Sequence, residues 1–171
     1  MWGKKQKMNL RIESLKQKHL TSLHSAIDVV AQERKYFVMT RAPKLSDVQK
    51  LASKLAKANF PFYVACFNNK VVGWANVTQA TGPGRKHVGD LGMGIVYKYR
   101  RKGLGSKLLR KTLKHGFEKT NLLRIQLEVY TDNVPAIQLY TKLGFQYEGI
   151  KRKAIQLNRK YKDAIIMAII R

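Results

Sequence analysis

The feature that most constrains this chain is a glycine-interrupted apolar run that leads into a basic turn and then into an amphipathic helix. The run covers residues 90–97, and the turn carries the pattern Arg100-x-x-Gly103-x-Gly105. We predict a strand, an anion-binding turn and a helix, because the first N–H groups of a helix lack intrahelical acceptors and attract negative charge. Glycines at the helix start let an anion approach closely. The turn therefore favours a diphosphate over a lone carboxylate.

Two other kinds of phosphate-binding loop do not match the residue spacing of this turn. Arg100, Arg101 and Lys102 add fixed positive charge beside the helix start, which suits phosphate oxygens. A dinucleotide fingerprint would need a third glycine where Leu108 stands, and a Walker loop would need Gly-Lys-Ser/Thr, which the turn lacks. A glycine-rich turn with solvated lysines is the simpler alternative. The neighbouring elements have to decide between the two.

Composition bounds the class of protein. With 171 residues and 44% hydrophobic content, the chain is expected to be one globular domain over residues 1–171. No apolar run approaches the length of a membrane span, and no apolar stretch follows the basic N-terminal residues 1–7 as in a signal peptide. We therefore expect a cytoplasmic protein that does not interact with membranes.

The charge balance is strongly basic, with 34 Lys+Arg against 10 Asp+Glu and a net charge of +24. Such a field favours anions, whether a cofactor, an acidic substrate or nucleic acid, or it reflects a lysine-rich proteome. The basic residues are dispersed along the chain rather than gathered in one tail. This dispersion makes nucleic acid an unfavoured but open partner.

Periodicity predicts eleven elements. The first half has a strand at 8–14, a helix from 20 to about 33, a second helix from an N-cap at Ser46 to about 58 and a hairpin at 62–77. An irregular connection at 34–44 joins the two helices and can wall a pocket. The second half has the strand at 90–97, a helix to 120, a strand at 122–130, a helix at 131–143 with Gly144 as C-cap, and a hairpin at 145–170. Gly92 and Gly94 predict a bulge in the central strand or a close approach by another backbone.

This order of elements resembles the GCN5-related N-acetyltransferase (GNAT) superfamily. The resemblance rests on residues 91–106, followed by 127–133 and 136–145. It implies an α/β fold of the α+β kind, with a mixed, mostly antiparallel sheet of about seven strands, about four helices and an opening in the middle of the sheet. It divides the chain into an acceptor-side part at 1–60, an acetyl-CoA-binding core at 61–145 and a C-terminal hairpin at 146–171. It also makes a homodimer reasonable.

The resemblance implies acetyl-CoA as co-substrate. Main-chain groups of the central strand are expected at the pantetheine, the turn at the pyrophosphate, Asn133 at the pantetheine and Tyr140 near the sulfur. The predicted cofactor-binding residues are Met93, Ile95, Val96, Arg100, Arg101, Lys102, Gly103, Leu104, Gly105, Ser106, Asn133 and Tyr140. Helical spacing independently places Asn133, Ala136 and Tyr140 on one face. A packing tyrosine and an asparagine helix cap are the alternatives for the two polar residues.

Three side chains are candidates for catalysis. Tyr140 is the candidate general acid, because a phenol with a pKa near 10 is protonated at neutral pH and can donate to a departing thiolate. Glu33 and Glu128 are the candidate general bases, directly or through water, and for each the alternative is a surface charge paired with a lysine. A strand N–H near Ile95 is a candidate for stabilising the oxyanion.

Neither a covalent nucleophile nor a metal is expected. Cys66 and the four histidines, His19, His24, His87 and His115, show no triad or metal-ligand spacing. Cys66 is instead predicted to be a small buried hydrophobe.

The predicted function is transfer of an acetyl group from acetyl-CoA directly to a primary amine of a small molecule or a protein. The acceptor is not identified by the sequence. A polyamine ranks below neutral or anionic amines and protein amino groups, because a chain of net charge +24 repels polycations. The alternative function is a basic RNA- or ribosome-binding module that keeps the fold without catalysis.

Overall fold

A computed structural model describes residues 10–171. A seven-stranded sheet in the order β1-β2-β3-β4-β5-β7-β6 runs through it. The strands are β1 (Leu10–Ser14), β2 (Phe62–Phe67), β3 (Lys70–Gln79), β4 (Val88–Ile95), β5 (Arg124–Tyr130), β6 (Gln146–Leu157) and β7 (Lys160–Ile170). The α-helices within residues 10–171 are α1 (Leu20–Gln32), α2 (Leu45–Lys57), α3 (Leu104–Lys119) and α4 (Val134–Lys142). Every neighbouring strand pair is antiparallel except β4 with β5. The predicted mixed sheet with four helices is confirmed.

Two apolar clusters cover the two faces of the sheet. Helices α1 and α2 pack through residues such as Leu23 against Val64 and Trp74 on one face. Helix α3 packs through Leu108 on the other face, which α4 also covers. The stripes arise because apolar residues recur at helical spacing along α1 and α3. Leu108 is fully buried, so Leu108→Ala should cost about 2–5 kcal/mol in the free energy of unfolding.

The sheet opens in its middle, between the two parallel strands. Strands β4 and β5 pair only from Val88–Arg124 to Asp90–Gln126, whereas β5 stays paired with β7 up to Tyr130. Beyond Asp90 the two strands therefore separate towards their carboxyl ends. This gap, called the cleft below, confirms the expected opening.

Two local predictions are wrong. Helix α2 begins at Leu45 with Lys44 as N-cap and no side-chain cap bond, so Ser46 is not its cap. The register between β3 and β4 is continuous, so β4 has no bulge at Gly92 or Gly94. A Cβ on Gly94 would instead lie 2.3 Å from Cη2 of Trp74, which shows that this glycine makes room for an indole ring.

Other local predictions hold, miss by one residue or lie outside the described residues. Cys66 is 2% exposed, and burial raises the pKa of its thiol, so it is the buried hydrophobe that was expected. Helix α4 ends at Lys142 with Leu143 as its C-cap, so Gly144, the predicted C-cap, is instead the residue after the cap, with φ of 96°. The predicted start of the first strand at Met8 and the basic residues 1–7 lie outside the described part. Among residues 10–171, no helix is long and apolar enough to cross a membrane.

Candidate active site

The basic turn presents main-chain N–H groups outward at the start of α3. Arg101 and Gly103 adopt left-handed conformations, with φ of 61° and 73°, and Gly103 is the N-cap of α3 without a side-chain cap bond. Among residues 10–171, no carbonyl accepts a hydrogen bond from the N–H groups of residues 101–106. Successive free N–H groups at the positive end of a helix form an anion-binding concavity.

Glycine is required at the two positions of the turn for different structural reasons. A Cβ on Gly103 would meet nothing within 4 Å, so its positive φ is what requires glycine there. A Cβ on Gly105 would lie 2.8 Å from Cδ2 of Leu139 and 3.4 Å from Cδ1 of Ile95. Gly105 therefore lets α3 pack against α4 and β4, rather than clearing space for an anion as its spacing had suggested.

The edge of β4 that faces the cleft carries unused main-chain groups. The main-chain N–H of Val96 donates to the Val72 carbonyl, and the N–H of Ala80 donates to the Val88 carbonyl. The main-chain N–H and carbonyl groups of even-numbered β4 residues therefore point at β3, and those of odd-numbered residues point at β5. Because the pairing with β5 ends at Asp90, the N–H groups of Met93 and Ile95 open into the cleft. The Val96 N–H donates to β3 and the Val96 carbonyl accepts from Tyr99, so Val96 has no free main-chain donor, and its role in cofactor binding stays a prediction.

Arg100 and Glu33 bind each other. The Arg100 guanidinium donates from Nη1 and Nη2 to the two carboxylate oxygens of Glu33, at 2.8 and 2.6 Å, and from Nε to the Ile95 carbonyl at 2.8 Å. In this arrangement Arg100 does not present its charge to a diphosphate, and Glu33 has no free oxygen with which to act as a base. The exposed side chains of Arg101 and Lys102 remain beside the turn.

Asn133 stands at the N-cap of α4, and Tyr140 lies inside the helix. The side chain of Asn133 makes no cap hydrogen bond. Tyr140 is 8% exposed, and its ring packs against Phe145 at 5.7 Å between centroids. In the described part of the chain, Tyr130 has the one side-chain polar atom that is both sealed from solvent and without a partner. The Tyr140 hydroxyl, which has no protein partner either, therefore reaches solvent.

Burial raises the pKa of Tyr140 well above its ordinary value. The cause is loss of solvent around the phenolate, which disfavours the charged form. The phenol is therefore protonated at neutral pH, as a general acid requires. The alternative role of Tyr140 in packing also fits its contact with Phe145, so the geometry is compatible with both.

A cavity of about 230 Å³ lies where β4 and β5 separate. Its lining consists of Asp90, Leu91, Gln126, Leu127, Glu128 and Ile166. Gln126 Nε2 donates to Asp90 Oδ1 at 2.8 Å, while Glu128 pairs with Lys151. Among residues 10–171, Asp90 has no cationic partner within 4.0 Å, which distinguishes it from Glu128 and Glu33.

Sequence reasoning missed Asp90 as a functional residue. The signal was present, since Asp90 opens the glycine-interrupted run, but nothing in the sequence shows that the two carboxylates chosen instead are neutralised by Arg100 and Lys151. These partners come from distant parts of the chain. Asp90 became visible only when the register placed it at the point where β4 leaves β5.

One cluster contains potential metal ligands that sequence spacing did not reveal. Ligand atoms of Glu13, His19 and Cys66 lie within 4.8 Å of one another. His19 Nδ1 accepts the Lys16 N–H at 3.0 Å, and burial lowers the pKa of His19, so the proton of the neutral ring is on Nε2. A metal-binding imidazole donates through its second nitrogen. The donor at Lys16 opposes that arrangement, so this cluster does not fit a metal.

Two strands that separate to admit a narrow chain, beside a helix start that can hold a diphosphate, form the arrangement of an acyl-coenzyme A-dependent acyltransferase. Comparison with known proteins identifies the family. Residues 27–145 match the sequence model described as "Acetyltransferase (GNAT) family". The chain belongs to this family, and the resemblance noted from its sequence is confirmed.

Curated relatives carry related names. The chain is 35% identical over 108 residues to the L-amino acid N-acetyltransferase AaaT of Escherichia coli, covering 63% of this chain and 67% of that protein. It is 35% identical over 128 residues to an N-alpha-acetyltransferase of Saccharolobus solfataricus, covering 67% of this chain and 71% of that protein. The protein is thus an N-acetyltransferase.

Solved structures share the fold. A GNAT-family acetyltransferase from Streptococcus pneumoniae superposes with a TM-score of 0.87 at 27% identity, covering 95% of this chain and 99% of that one. The YncA acetyltransferase of Salmonella typhimurium, whose structure contains acetyl-CoA, gives a TM-score of 0.88 at 15% identity, covering 94% and 93%. The second likeness concerns the fold alone.

Proposed function

We propose that the protein transfers an acetyl group from acetyl-CoA directly to a primary amine in the cleft between β4 and β5. The observation that carries the proposal is the continuous set of unused main-chain donors beside the cleft. It comprises the N–H groups of Met93 and Ile95 on β4 and those of residues 101–106 at the start of α3. Leu104 and Gly105 are buried and Met93 and Ile95 are half-buried, and donors of such residues are costly unless a ligand or water satisfies them.

The residues present fit acetyl-CoA as co-substrate. The N–H groups of residues 101–106 would hold its pyrophosphate, with Arg101 and Lys102 adding positive charge. The main-chain N–H of Ile95 would bind the pantetheine, and the side chain of Asn133, which makes no cap hydrogen bond, is its second proposed contact. Acetyl-CoA supplies the acetyl thioester, and the structure of YncA, which has the same fold, contains this molecule.

Two groups of this chain would move protons and one would stabilise charge. Asp90 accepts a proton from the acceptor ammonium, directly or through water, which leaves a neutral amine to form the new C–N bond. The Met93 N–H, which lies nearer to Asp90 along β4 than the Ile95 N–H does, donates to the thioester oxygen as negative charge develops there. When the C–S bond breaks, Tyr140 gives its phenolic proton to the departing sulfur, and the second proton lost by the amine nitrogen passes to the Tyr140 phenolate. No enzyme nucleophile takes part.

Asp90 is the proposed base in place of Glu33 and Glu128. It lines the cavity, it is partly buried, and it is held by the amide of Gln126 rather than by a cation. Glu33 is bound to Arg100, and Glu128 to Lys151. Only one oxygen of Asp90 is hydrogen bonded, so the other can accept a proton, whereas both oxygens of Glu33 are bound by Arg100.

Calorimetric titration of acetyl-CoA, followed by a thiol-release assay over a panel of amines, tests the proposal. Gly103→Val should weaken binding at least 10-fold, because a β-branched residue does not adopt a φ of 73°. Gly84→Val is the matched control, since a Cβ on that glycine meets nothing within 4 Å and its φ is not positive. Asp90→Asn should lower kcat and leave acetyl-CoA affinity unchanged. A native protein that binds no acetyl-CoA would overturn the proposal.

Three finer predictions, which come from the sequence and its resemblance to the family, accompany this function. The donor is acetyl rather than a longer acyl group, the protein is cytoplasmic, and it is a homodimer. Sedimentation of the purified protein tests the homodimer. Competition between acyl-CoA donors in the thiol-release assay tests the preference for an acetyl group.

A further inference from the structure

The side-chain amide of Asn76 is buried and has no hydrogen-bond partner among the described residues. Asn76 on β3 is 8% exposed. Within the described residues, the Tyr130 hydroxyl is the one side-chain polar atom that lacks both solvent contact and a hydrogen-bond partner. Because the Asn76 amide also lacks a partner, it must keep some contact with solvent. Water or a bound ligand can satisfy this amide from its open side, and the amide would cost about 1–3 kcal/mol if neither did.

The register fixes where this amide lies. Asn76 pairs with Gly92, and Thr78 pairs with Asp90, so Asn76 and Asp90 are diagonal neighbours on one sheet face, with Cβ atoms about 7–8 Å apart. A Cβ on Gly92 would lie 3.2 Å from Asn76 Oδ1 and 3.8 Å from its Nδ2. The amide therefore lies over Gly92, beside the edge from which the cleft opens.

The same face has an apolar wall on its other side. Trp74 pairs with Gly94, and its indole stacks against Phe37 at 6.0 Å between centroids with planes 7° apart. Phe37 belongs to the connection after α1 that was predicted to wall a pocket. An acceptor on this face therefore meets an aromatic wall at Trp74, an amide at Asn76 and a carboxylate at Asp90.

We propose that Asn76 determines acceptor specificity by binding a carbonyl group adjacent to the reacting amine, so that the acceptor class is the α-aminoacyl group. This inference rests on the proposed function, because Asp90 has to hold the amine. Asn76 Nδ2 donates to the acceptor's carbonyl oxygen, and Oδ1 accepts from an acceptor N–H where there is one. Two polar groups one diagonal step apart match an amine and a carbonyl separated by two or three bonds. A simple alkylamine leaves the Asn76 amide unpaired.

The test compares two acceptors in three proteins. Alaninamide carries an α-aminoacyl group, and 3-methylbutan-2-amine has a similar shape with methyl groups in place of the carbonyl oxygen and the amide nitrogen. Asn76→Leu keeps the size and removes the hydrogen bonds. Thr78→Val is the matched control, since it also removes a polar group from this face of β3, one row further from the open end of the cleft.

Asn76→Leu should lower kcat/KM for alaninamide by about 10-fold while leaving 3-methylbutan-2-amine unchanged or improved. Thr78→Val should change both acceptors alike. Each acceptor is compared with itself across variants, because the two amines differ in pKa. Equal losses on both acceptors, or no change on either, would overturn the role of Asn76. In the second case, an ordered water satisfies the amide.

Two further arms separate the outcomes. Alanyl-alanine and free alanine replace alaninamide to distinguish a peptide N-terminus from a free amino acid as the source of the α-aminoacyl group. Acetyl-CoA titration into each variant shows whether the cofactor side is intact. A native protein that binds acetyl-CoA but acetylates none of these amines would overturn the proposed function itself, and the specificity role with it.

Discussion

The carboxylate of Glu33 and the guanidinium of Arg100 form a two-pronged ion pair that joins the end of α1 to the end of β4. The paired atoms lie 2.8 and 2.6 Å apart. Both side chains are about a quarter exposed, at 23% and 24%, so solvent screens the pair only in part. Because Arg100 also holds the Ile95 carbonyl, the pair connects the acceptor-side helix to the strand that lines the cleft.

A double-mutant cycle on this pair should give a coupling of about 1 kcal/mol in the free energy of unfolding. Glu33→Gln and Arg100→Met should each destabilise the protein, and the double variant should be little worse than the more damaging single one. Urea denaturation measures all four states. Asp47→Asn is the control, because Asp47 pairs with Lys50 on the surface at 3.8 Å and should matter little. Strictly additive single effects would show that the pair does not hold the two elements together.

A side chain at Gly94 should disrupt the aromatic wall. A Cβ there would lie 2.3 to 2.9 Å from three ring atoms of Trp74, and Phe37 blocks the far side of the indole. Gly94→Ala should therefore cost about 1–3 kcal/mol, the range for overpacking a core. Gly149→Ala is the control, since a Cβ there meets nothing within 4 Å. Urea denaturation followed by tryptophan fluorescence measures both, and equal stabilities would contradict the packing described.

Much of the fold could be predicted from the sequence, because periodicity and turn residues are local signals. The stripe of α1, the turn before α3 and the end of α4 just before Gly144 are examples. The reasons for individual glycines could not be predicted, since Gly94 faces Trp74 and Gly105 faces Leu139 only after strands and helices have packed. The same holds at the cleft, where long-range pairing decides which carboxylate is free.

Replacing the Tyr140 hydroxyl should affect chemistry and not binding. Tyr140→Phe keeps the contact with Phe145 and removes the proposed proton donor, so kcat should fall about 100-fold while acetyl-CoA affinity is unchanged. Tyr147→Phe, at an exposed tyrosine, is the control. Steady-state kinetics and calorimetry separate the two effects. A kcat equal to that of the native protein would assign Tyr140 to packing alone.

The raised pKa of Tyr140 predicts a pH effect on stability. Because burial holds this pKa above its ordinary value near 10, the unfolded chain loses the phenolic proton at lower pH than the folded one. The contribution is fully present below about pH 10 and is lost as the pH rises through the folded pKa. Above pH 10, the unfolding free energy of the native protein should therefore fall more steeply than that of Tyr140→Phe. Parallel curves would show that the phenol is not shielded from solvent.

Removing the hydroxyl of Tyr130 should stabilise the protein. That oxygen is sealed from solvent and has no partner among residues 10–171, and burial raises its pKa. An unsatisfied buried hydroxyl costs about 1–3 kcal/mol, so Tyr130→Phe should raise the free energy of unfolding by about 1 kcal/mol. Tyr63→Phe is the opposite control, because the Tyr63 hydroxyl is hydrogen bonded to His115 Nδ1 at 2.9 Å. It should lower stability by about 1 kcal/mol. If both variants lose stability alike in urea denaturation, a buried water binds Tyr130 as His115 binds Tyr63.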